Sequence, residues 1–390
     1  MIIDQPEVKL KILVAINSLD SGGAEKSALK LAEGLLGDGN EVIFLTFTET
    51  LDFYEVPSQL RRVTLDNFKK RIWYSRFILL FPGRLQFWWL QAQKLVALRK
   101  RIRTEKPDCV ISISASVAVF MFISTIFMRQ PQIGSERINP DSKIWSHGKI
   151  VDILRPFIYH HGVSLSVQTF GVKEWCLKEW HCESIITPNH LTWLPPAKLV
   201  TSDTSVFKSK KDKIVLAIGR DHPQKNFDFL LRAWSYYESI GGQEKLVIVG
   251  PADPERLQGL VGQLGIRNAI VDARTVDLSP YFLSAKLLVS SSQFEGFPNV
   301  ILEGLSFGLP VLATPSCDQI SDFEAKGCCV VADSNSISRF AVQLQNLVDN
   351  KLVLEQMSIA AVEVSKTYTW INVRESWYDC IKEAVAKVAK

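Results

Sequence analysis

The feature that most constrains the fold of this 390-residue chain is an alternation of short apolar segments with helical ones. Residues 11–16 (KILVAI) and 41–47 (EVIFLTF) are apolar runs of strand length, and residues 21–35 between them have a helical pattern. After a middle whose pattern is irregular, strands are predicted at 110–114 and 132–136. Apolar strands that alternate with helices predict a parallel sheet covered on both faces.

The same alternation restarts at residue 213. Because 390 residues are also more than one hydrophobic core usually serves, we predict two doubly wound α/β domains, 1–200 and 201–390. The stretch 191–211, rich in Pro, Ser, Thr and Lys, is the predicted linker. In the second series, strands are predicted at 213–219, 245–250, 269–273, 286–291 and 310–314. Helices are predicted at 227–237, 254–265 and 298–308.

Residues 109–128 contain no charged side chain and are long enough to cross a bilayer. A turn signal precedes this run, and its first residues are β-branched, so we favour a buried strand that leads into a buried helix. The seven cysteines lack C-x-x-C spacing and fit reduced thiols, and Asp4 and Glu7 do not fit a signal peptide. We therefore expect a cytoplasmic protein.

Ligands of open α/β sheets bind beyond the carboxyl ends of the strands. Gly22 and Gly23 lie where the first strand meets its helix, and there they would let an anion approach the backbone. Many strand–helix turns, however, use glycine for geometry alone. Arg220 and Lys225 follow the strand at 213–219 and could neutralise a diphosphate. The alternative is that both are solvated loop charges.

The stretch FEGFPNVILEG contains two carboxylates in apolar surroundings. Glu295 is predicted in the loop after a strand, and Glu303 about one and a half turns into the helix that Pro298 begins. A carboxylate accepts hydrogen bonds from both hydroxyls of a vicinal diol, as found in sugars and ribose. Free amides around Asn299 and Val300 would meet phosphate between them. The pattern indicates a site for a sugar, phosphates and a ribose.

This stretch resembles the E-x7-E signature of retaining glycosyltransferases of the group 1 type, which include bacterial polysaccharide and lipid-linked oligosaccharide enzymes. The resemblance implies the GT-B fold, in which two Rossmann-like domains have the ligand cleft between them. It makes the first domain the acceptor side and the second the nucleotide-sugar-binding side. Further segments that resemble the family are GGAEKSALKLAEGL, GSERINP, VQTFGVKEWC, ITPNH, GRDHPQKNFDFLLRAW and GLPVLAT.

The resemblance also implies roles for individual residues. Arg220 and Lys225 would hold the diphosphate and stabilise the leaving nucleotide, Glu303 would bind the ribose, and Glu295 would contact the transferred sugar. It implies retention of configuration without a metal or cofactor, the UDP- or GDP-linked sugar being a substrate. The other donor-binding residues would be Gly22, Gly23, Gly296, Phe297, Pro298, Asn299 and Val300.

Three positions depart from the family pattern and leave the donor sugar open. Ser114-Ala115-Ser116 stand where many relatives have histidine, and His190 follows Asn189 where relatives often have proline. Cys317-Asp318-Gln319 replaces the usual C-P-x-G-P.

Residues 61–106 carry thirteen Lys or Arg and two acidic residues, a net charge of +11 in a chain whose total is +4. A basic amphipathic helix with tryptophan suits an anionic membrane surface. Nucleic acid is an alternative partner, although the sequence contains no recognisable nucleic-acid-binding module. A further alternative is a helix that packs on the protein and leaves its basic face in solvent. The predicted apolar stripe consists of Leu85, Trp88, Trp89, Ala92, Leu95 and Val96.

The sequence therefore predicts a retaining glycosyltransferase that acts on a glycan or polyprenyl-linked acceptor, peripheral at the cytoplasmic face of a membrane. The alternatives are a sugar-nucleotide epimerase or hydrolase of the same fold, and a non-catalytic nucleotide-binding partner.

Overall fold

The computed structural model describes two compact units. One comprises Met1–His190 with Val373–Lys390, and the other Leu191–Asn372. Of residues 83–87 only the backbone is described. Most of the predicted linker 191–211, and residues 66–82 of the basic segment, lie outside the described residues, which are 9–20, 22–48, 52–65, 83–140, 148–191, 195 and 214–389.

The first unit contains a parallel sheet of seven strands in the order β3-β2-β1-β4-β5-β6-β7. The order reverses between β1 and β4, which makes this the topological switch point of the sheet. The strands are β1 Lys11–Ile16, β2 Glu41–Thr46, β3 Arg61–Thr64, β4 Cys109–Ile113, β5 Gln132–Ser135, β6 Val163–Val167 and β7 Ser184–Ile186.

Helices connect these strands and cover the sheet. Alternate residues of β1 point to opposite faces; Leu13 and Ala15 join a core cluster with Leu98 and Ile102. The helices are α1 Gly23–Gly37, α2 Gly83–Glu105, α3 Ala115–Ser124, α4 Lys149–His160 and α5 Phe170–Trp180.

The second unit contains a parallel sheet of six strands in the order β10-β9-β8-β11-β12-β13. Counted from β8, this is the same order as in the first six strands of the first sheet, and its switch point lies between β8 and β11. The strands are β8 Ile214–Ile218, β9 Lys245–Val249, β10 Ala269–Asp272, β11 Ala285–Ser290, β12 Val311–Ala313 and β13 Cys329–Val331.

Two apolar cores lie on the two faces of this sheet. Val215 and Ala217 of β8 join the cluster around Trp234, whereas Leu216 joins the cluster around Phe323. The helices of this unit are α6 Phe227–Ser239, α7 Glu255–Gln263, α8 Ser279–Ser284, α9 Asn299–Ser306, α10 Asp318–Ala325, α11 Ile337–Asp349 and α12 Lys351–Lys366. The last helix, α13 Trp370–Ala389, begins at the end of this unit, and most of it belongs to the first unit.

The predicted doubly wound α/β architecture is confirmed in both units. The uncharged run 109–128 consists of β4 and α3, both largely buried, and no helix within the described ranges is long and apolar enough to span a membrane. The sequence analysis assigned no helix or strand to residues 149–186. These residues continue the alternation through α4, β6, α5 and β7.

The end of the chain differs from the predicted division, which assigned residues 201–390 to one domain. Residues Val373–Lys390 belong to the first unit. Within that unit Arg374 pairs with Asp38 at 3.1 Å, and the Tyr378 hydroxyl accepts from Asn40 Nδ2 at 2.7 Å. The sequence pattern of an amphipathic helix at the end of a chain does not depend on which unit the helix packs against.

Candidate active site

The loops that follow β8 and β11 lie beside each other because these strands are neighbours at the switch point of the second sheet. A short 3-10 turn, Pro223–Lys225, follows β8. Gly219 allows a close approach there, since a Cβ on it would lie 2.9 Å from Cε of Lys225. Gly250, with φ of +121°, does the same for β9, where a Cβ would lie 2.7 Å from the Gly219 carbonyl oxygen.

Lys225 and Glu295, predicted to act in one site, are in direct contact. The Lys225 ammonium donates to Glu295 Oε1 at 2.6 Å, and both side chains are largely buried. Gln224 Nε2 donates to Glu295 Oε2 at 3.2 Å and to the Phe294 carbonyl at 3.0 Å. An ammonium has three donors and a carboxylate about four acceptor positions, so both partners retain capacity for a ligand.

Backbone contacts fix this arrangement. The Ser291 hydroxyl donates to the Lys225 carbonyl at 2.7 Å, and the Gln293 amide donates to the Gln224 carbonyl at 2.8 Å. The Glu295 amide donates to the Ser316 carbonyl at 2.9 Å, which ties in the loop after β12. The sequence analysis did not identify Ser291, Gln293 or Ser316 as supporting residues. Of the residues that contact Lys225 or Glu295, only Gln224 could have been suspected from the sequence, because it is the polar neighbour of Lys225.

Arg220 lies at the start of the same loop with its side chain exposed. Within the described residues it makes no hydrogen bond or ion pair. The adjacent Asp221 is held by Arg256, with 2.5 Å between Asp221 Oδ1 and Arg256 Nη2. His222 has a local structural role, because its Nδ1 accepts from the Gln224 amide at 3.2 Å.

The predicted helix after Glu295 is confirmed as α9. Glu303 is buried within it, and Gly308, with φ of +69°, follows its end as predicted. Gly304 sets the helix close to the sheet, since a Cβ there would lie 2.8 Å from Leu288 Cδ2. The helix thus holds the Glu303 carboxylate in a buried position, about one turn after the helix begins.

The start of α9 differs in one respect from expectation. The Asn299 amide is not free, because it donates to the Phe297 carbonyl at 2.9 Å. The Val300 amide makes no hydrogen bond to any described residue, as expected in the first turn of a helix. Gly296, Phe297 and Pro298 are buried, and the Phe297 ring packs against Tyr368 with 5.7 Å between centroids.

Two groups after β12 complete the surroundings of Glu295. Burial, together with the charges of Glu295 and Asp318, raises the pKa of the Cys317 thiol to about 12, so this cysteine is neutral. The Ser316 hydroxyl is buried and has no hydrogen-bond partner within the described residues. A buried polar atom without a partner is unusual and is compatible with a ligand site.

The switch point of the first sheet has a different chemistry. Gly22 and Gly23 lie where β1 leads into α1, as predicted: Gly22 precedes the helix and Gly23 is its first residue. Ser114, after β4, has φ of +105°, a strained backbone conformation for a serine. Asn17 Nδ2 donates to the Ser116 hydroxyl at 3.3 Å, and the Ser114 and Ser116 hydroxyls are 3.3 Å apart.

The segment GSERINP lies further along this edge, after β5. Glu136 is buried and accepts from Arg155 at 2.6 Å and from the Tyr159 hydroxyl at 2.6 Å. Burial alone would lower the pKa of Arg155, but the Glu136 carboxylate raises it above its ordinary value. Arg137 bonds to Asn189, lies over a tryptophan ring of α13 and has no carboxylate partner within the described residues; burial lowers its pKa to about 10.

Solved structures with this arrangement of two sheets share the fold of the chain. TarM from S. aureus, as a mutant in complex with Fondaparinux, alpha-GlcNAc-glycerol and UDP, superposes with a TM-score of 0.77 at 14% identity, over 95% of this chain and 99% of that one. The class of fold that the two sheets define is the two-domain GT-B fold.

Sequence comparison agrees with this class. Residues 201–364 match the family described as glycosyl transferases group 1. An uncharacterized glycosyltransferase of Haemophilus influenzae is 23% identical over 93% of this chain and 97% of its own length. An alpha-1,4-N-acetyl-D-galactosaminyltransferase of Campylobacter jejuni, named for a diNAcBac-PP-undecaprenol glycan, is 25% identical over 96% and 99%. The match to the group 1 glycosyltransferases thus covers most of the second unit, and the two relatives that cover nearly the whole chain are glycosyltransferases.

Proposed function

We propose that this enzyme transfers a sugar from a nucleoside diphosphate sugar to a membrane-associated glycan or polyprenyl-linked acceptor, with retention of configuration and without a metal ion. The contact of Lys225 with Glu295 at the second switch point carries the proposal, because it joins a cation for phosphate to a carboxylate for hydroxyls. The UDP in the S. aureus structure and the undecaprenol glycan in the name of the C. jejuni relative support a UDP-linked donor and a polyprenyl acceptor.

In the proposed reaction Glu303 binds the ribose hydroxyls, and Arg220 and Lys225 bind the diphosphate. Glu295 holds hydroxyls of the transferred sugar. The acceptor oxygen forms its bond to the anomeric carbon on the face from which the diphosphate departs. The acceptor proton moves to the leaving diphosphate oxygen, whose charge the two cations stabilise.

Labelled sugar nucleotides, chosen by a thermal-shift screen, test the proposal, since a ligand that binds only the folded state raises the melting temperature. Transfer to a polyprenyl diphosphate-linked acceptor, with NMR of the product anomer, is the expected result. Activity that persists in excess chelator would support metal independence. Epimerised or hydrolysed donor without transfer would favour an epimerase or hydrolase, and binding without turnover a non-catalytic partner.

The membrane part of the proposal rests on the exposed side chains of α2. Its core contacts are made by Ala97, Leu98 and Ile102, whereas Trp88 is 55% exposed and Val96 68% exposed. Most of the described part of the predicted apolar stripe therefore does not pack on the sheet. We propose that it docks on an anionic membrane at the cytoplasmic face, and that no nucleic acid is bound.

Vesicle binding tests this docking. Lys100 and Arg103 are exposed, whereas Arg99 donates to the Ser124 and Ile126 carbonyls and is structural. Replacing Lys100 and Arg103 with glutamine should weaken binding to anionic vesicles, since each basic residue near such a surface contributes about 1 kcal/mol. A wild-type protein that ignores anionic vesicles at low salt would contradict membrane docking.

A further inference from the structure

The first unit exposes large apolar side chains on three elements outside the candidate active site. Phe127, after α3, is 100% exposed, and Ile153 on α4 is 72% exposed. We call this set the outer apolar face; it consists of Val96, Ile126, Phe127, Ile150, Ile153 and Phe157.

Contacts join these elements into one surface. Arg99 of α2, one turn after Val96, donates to the Ile126 carbonyl at 2.9 Å, which places the loop with Phe127 against α2. At the end of α3 the Phe122 ring meets Phe157 of α4 edge-on, with 6.2 Å between centroids. The outer apolar face is therefore continuous from α2 across the end of α3 to α4.

Helix α4 is apolar on two sides. Ile158 and Tyr159 are buried against the unit, as helices of such folds require. Ile150, Ile153 and Phe157 follow one another at intervals of three and four residues, so they share the opposite, exposed side. A helix within one folded unit needs only its inner side to be apolar, so the apolar outer side of α4 is available to a partner.

The charges around this face identify the partner. Residues 88–131 contain seven Lys or Arg and two acidic residues. Among the basic ones, Lys100, Arg103 and Arg129 are exposed, as is Lys149 at the start of α4. Of the acidic ones, Glu105 is buried and holds Arg61 at 2.8 Å. On α4 itself, Asp152 pairs with the buried Arg155 at 3.4 Å. Exposed apolar side chains and exposed cations on the same elements fit a bilayer with anionic headgroups.

We propose that α4 and the loop at residues 126–127 are a second membrane-inserting element, beside the basic helix α2. This inference rests on the proposed membrane docking and deepens it. Ile153, Phe157 and Phe127 enter the boundary between headgroups and acyl chains, and the exposed cations contact the headgroups. Both elements then hold the first unit against the surface that contains the acceptor.

Binding of the full-length protein to vesicles of phosphatidylglycerol and phosphatidylcholine tests the proposal. We expect Ile153→Ser to weaken binding about threefold or more and the triple variant Phe127→Ser, Ile153→Ser, Phe157→Ser about tenfold or more. The loss should persist at high salt, because apolar burial is not screened. Leu352→Ser is the matched control, since Leu352 is also 72% exposed but lies in the second unit.

Three outcomes would overturn the proposal. If the variants bind vesicles as tightly as the wild type, α4 does not insert into the membrane, and docking through α2 is unaffected by this result. A vesicle-free dimer that Ile153→Glu dissociates would assign the face to a second copy of the chain. If instead the wild type binds no vesicles, membrane docking as a whole falls. Circular dichroism and thermal unfolding of each variant test whether the first unit, which carries the substitutions, is still folded.

Discussion

The two switch points of the molecule have the same strand order and different chemistry. In the second unit, ionised side chains from neighbouring loops meet, Lys225 with Glu295 at 2.6 Å. In the first unit the corresponding loops present glycine, amide and hydroxyl groups, with Asn17 bonded to Ser116. The ionised residues after β5 are instead turned inward, as in the buried pair of Glu136 and Arg155.

This difference shows that the sheet supplies positions and the loop residues supply chemistry. A charge at a switch point that remains partly accessible can serve a ligand. A charge that is sealed between strand ends and a helix serves stability, because its removal leaves the partner unpaired. Substitutions in the two edges should therefore separate loss of folding from loss of activity.

The largest effect is expected in the first unit. Arg155→Gln would leave the Glu136 carboxylate buried with only the Tyr159 hydroxyl and should reduce the stability of this unit by about 3–5 kcal/mol. Chemical denaturation followed by tryptophan fluorescence measures it. Arg129→Gln removes the same charge from an exposed position and should change stability little. Equal stability of the two variants would contradict a structural role for the pair.

In the second unit Arg220→Ala should leave folding intact and lower turnover by a factor of roughly a hundred or more, the effect typical of a lost electrostatic stabiliser. The exposed Arg232 of α6 provides the control, and Arg232→Ala should retain near-normal turnover. Steady-state kinetics with the donor identified in the screen measures both. Unchanged turnover in folded Arg220→Ala would exclude its role at the diphosphate.

The two glutamates should differ in what they affect. Glu303→Ala should weaken UDP binding about tenfold, because its proposed partner is ribose. Glu295→Ala should leave UDP binding unchanged or slightly tighter, since it releases Lys225 for the diphosphate, and should lower transfer. Calorimetry with UDP and kinetics with the sugar nucleotide measure the two effects. Equal weakening of UDP binding by both variants would show that the division of roles is wrong.

The smallest effect concerns pH and the first unit. Burial, with the charges of Arg137 and Lys30 adding to it, lowers the pKa of His190 from 6.5 to about 4. The unfolded chain therefore takes up a proton first, and stability that is complete above about pH 6.5 is lost as pH falls toward 4. The loss at pH 5.5 should be about 1 kcal/mol. His190→Gln should flatten this dependence in denaturation measured from pH 7.5 to 5, and an unchanged slope would assign it to other groups.

Much of the fold could be predicted from the sequence because buried parallel strands are apolar runs and their helices have a helical period. The alternation at 11–47 and from 213 onward was strong enough to predict both sheets. The alternation was not recognised at 149–186, where β6 alternates serine with apolar residues, and Ser164 and Ser166 are nevertheless buried. Those serines are hydrogen-bonded to partners distant in sequence, Ser164 to Glu383 and Ser166 to Thr187, which a local pattern does not contain.

The candidate site, like the fold, could be predicted from the sequence only in part. The sequence by itself determined which chemical groups follow β8 and β11, because a glycine, a proline and the strand ends mark those loops locally. Only the tertiary structure decided that Lys225 contacts a carboxylate seventy positions away, that Gln224 supports it, and that the Asn299 amide is occupied. It also decided which unit the last helix covers. Local patterns report burial and turns, whereas pairing depends on which strands become neighbours when the sheet forms.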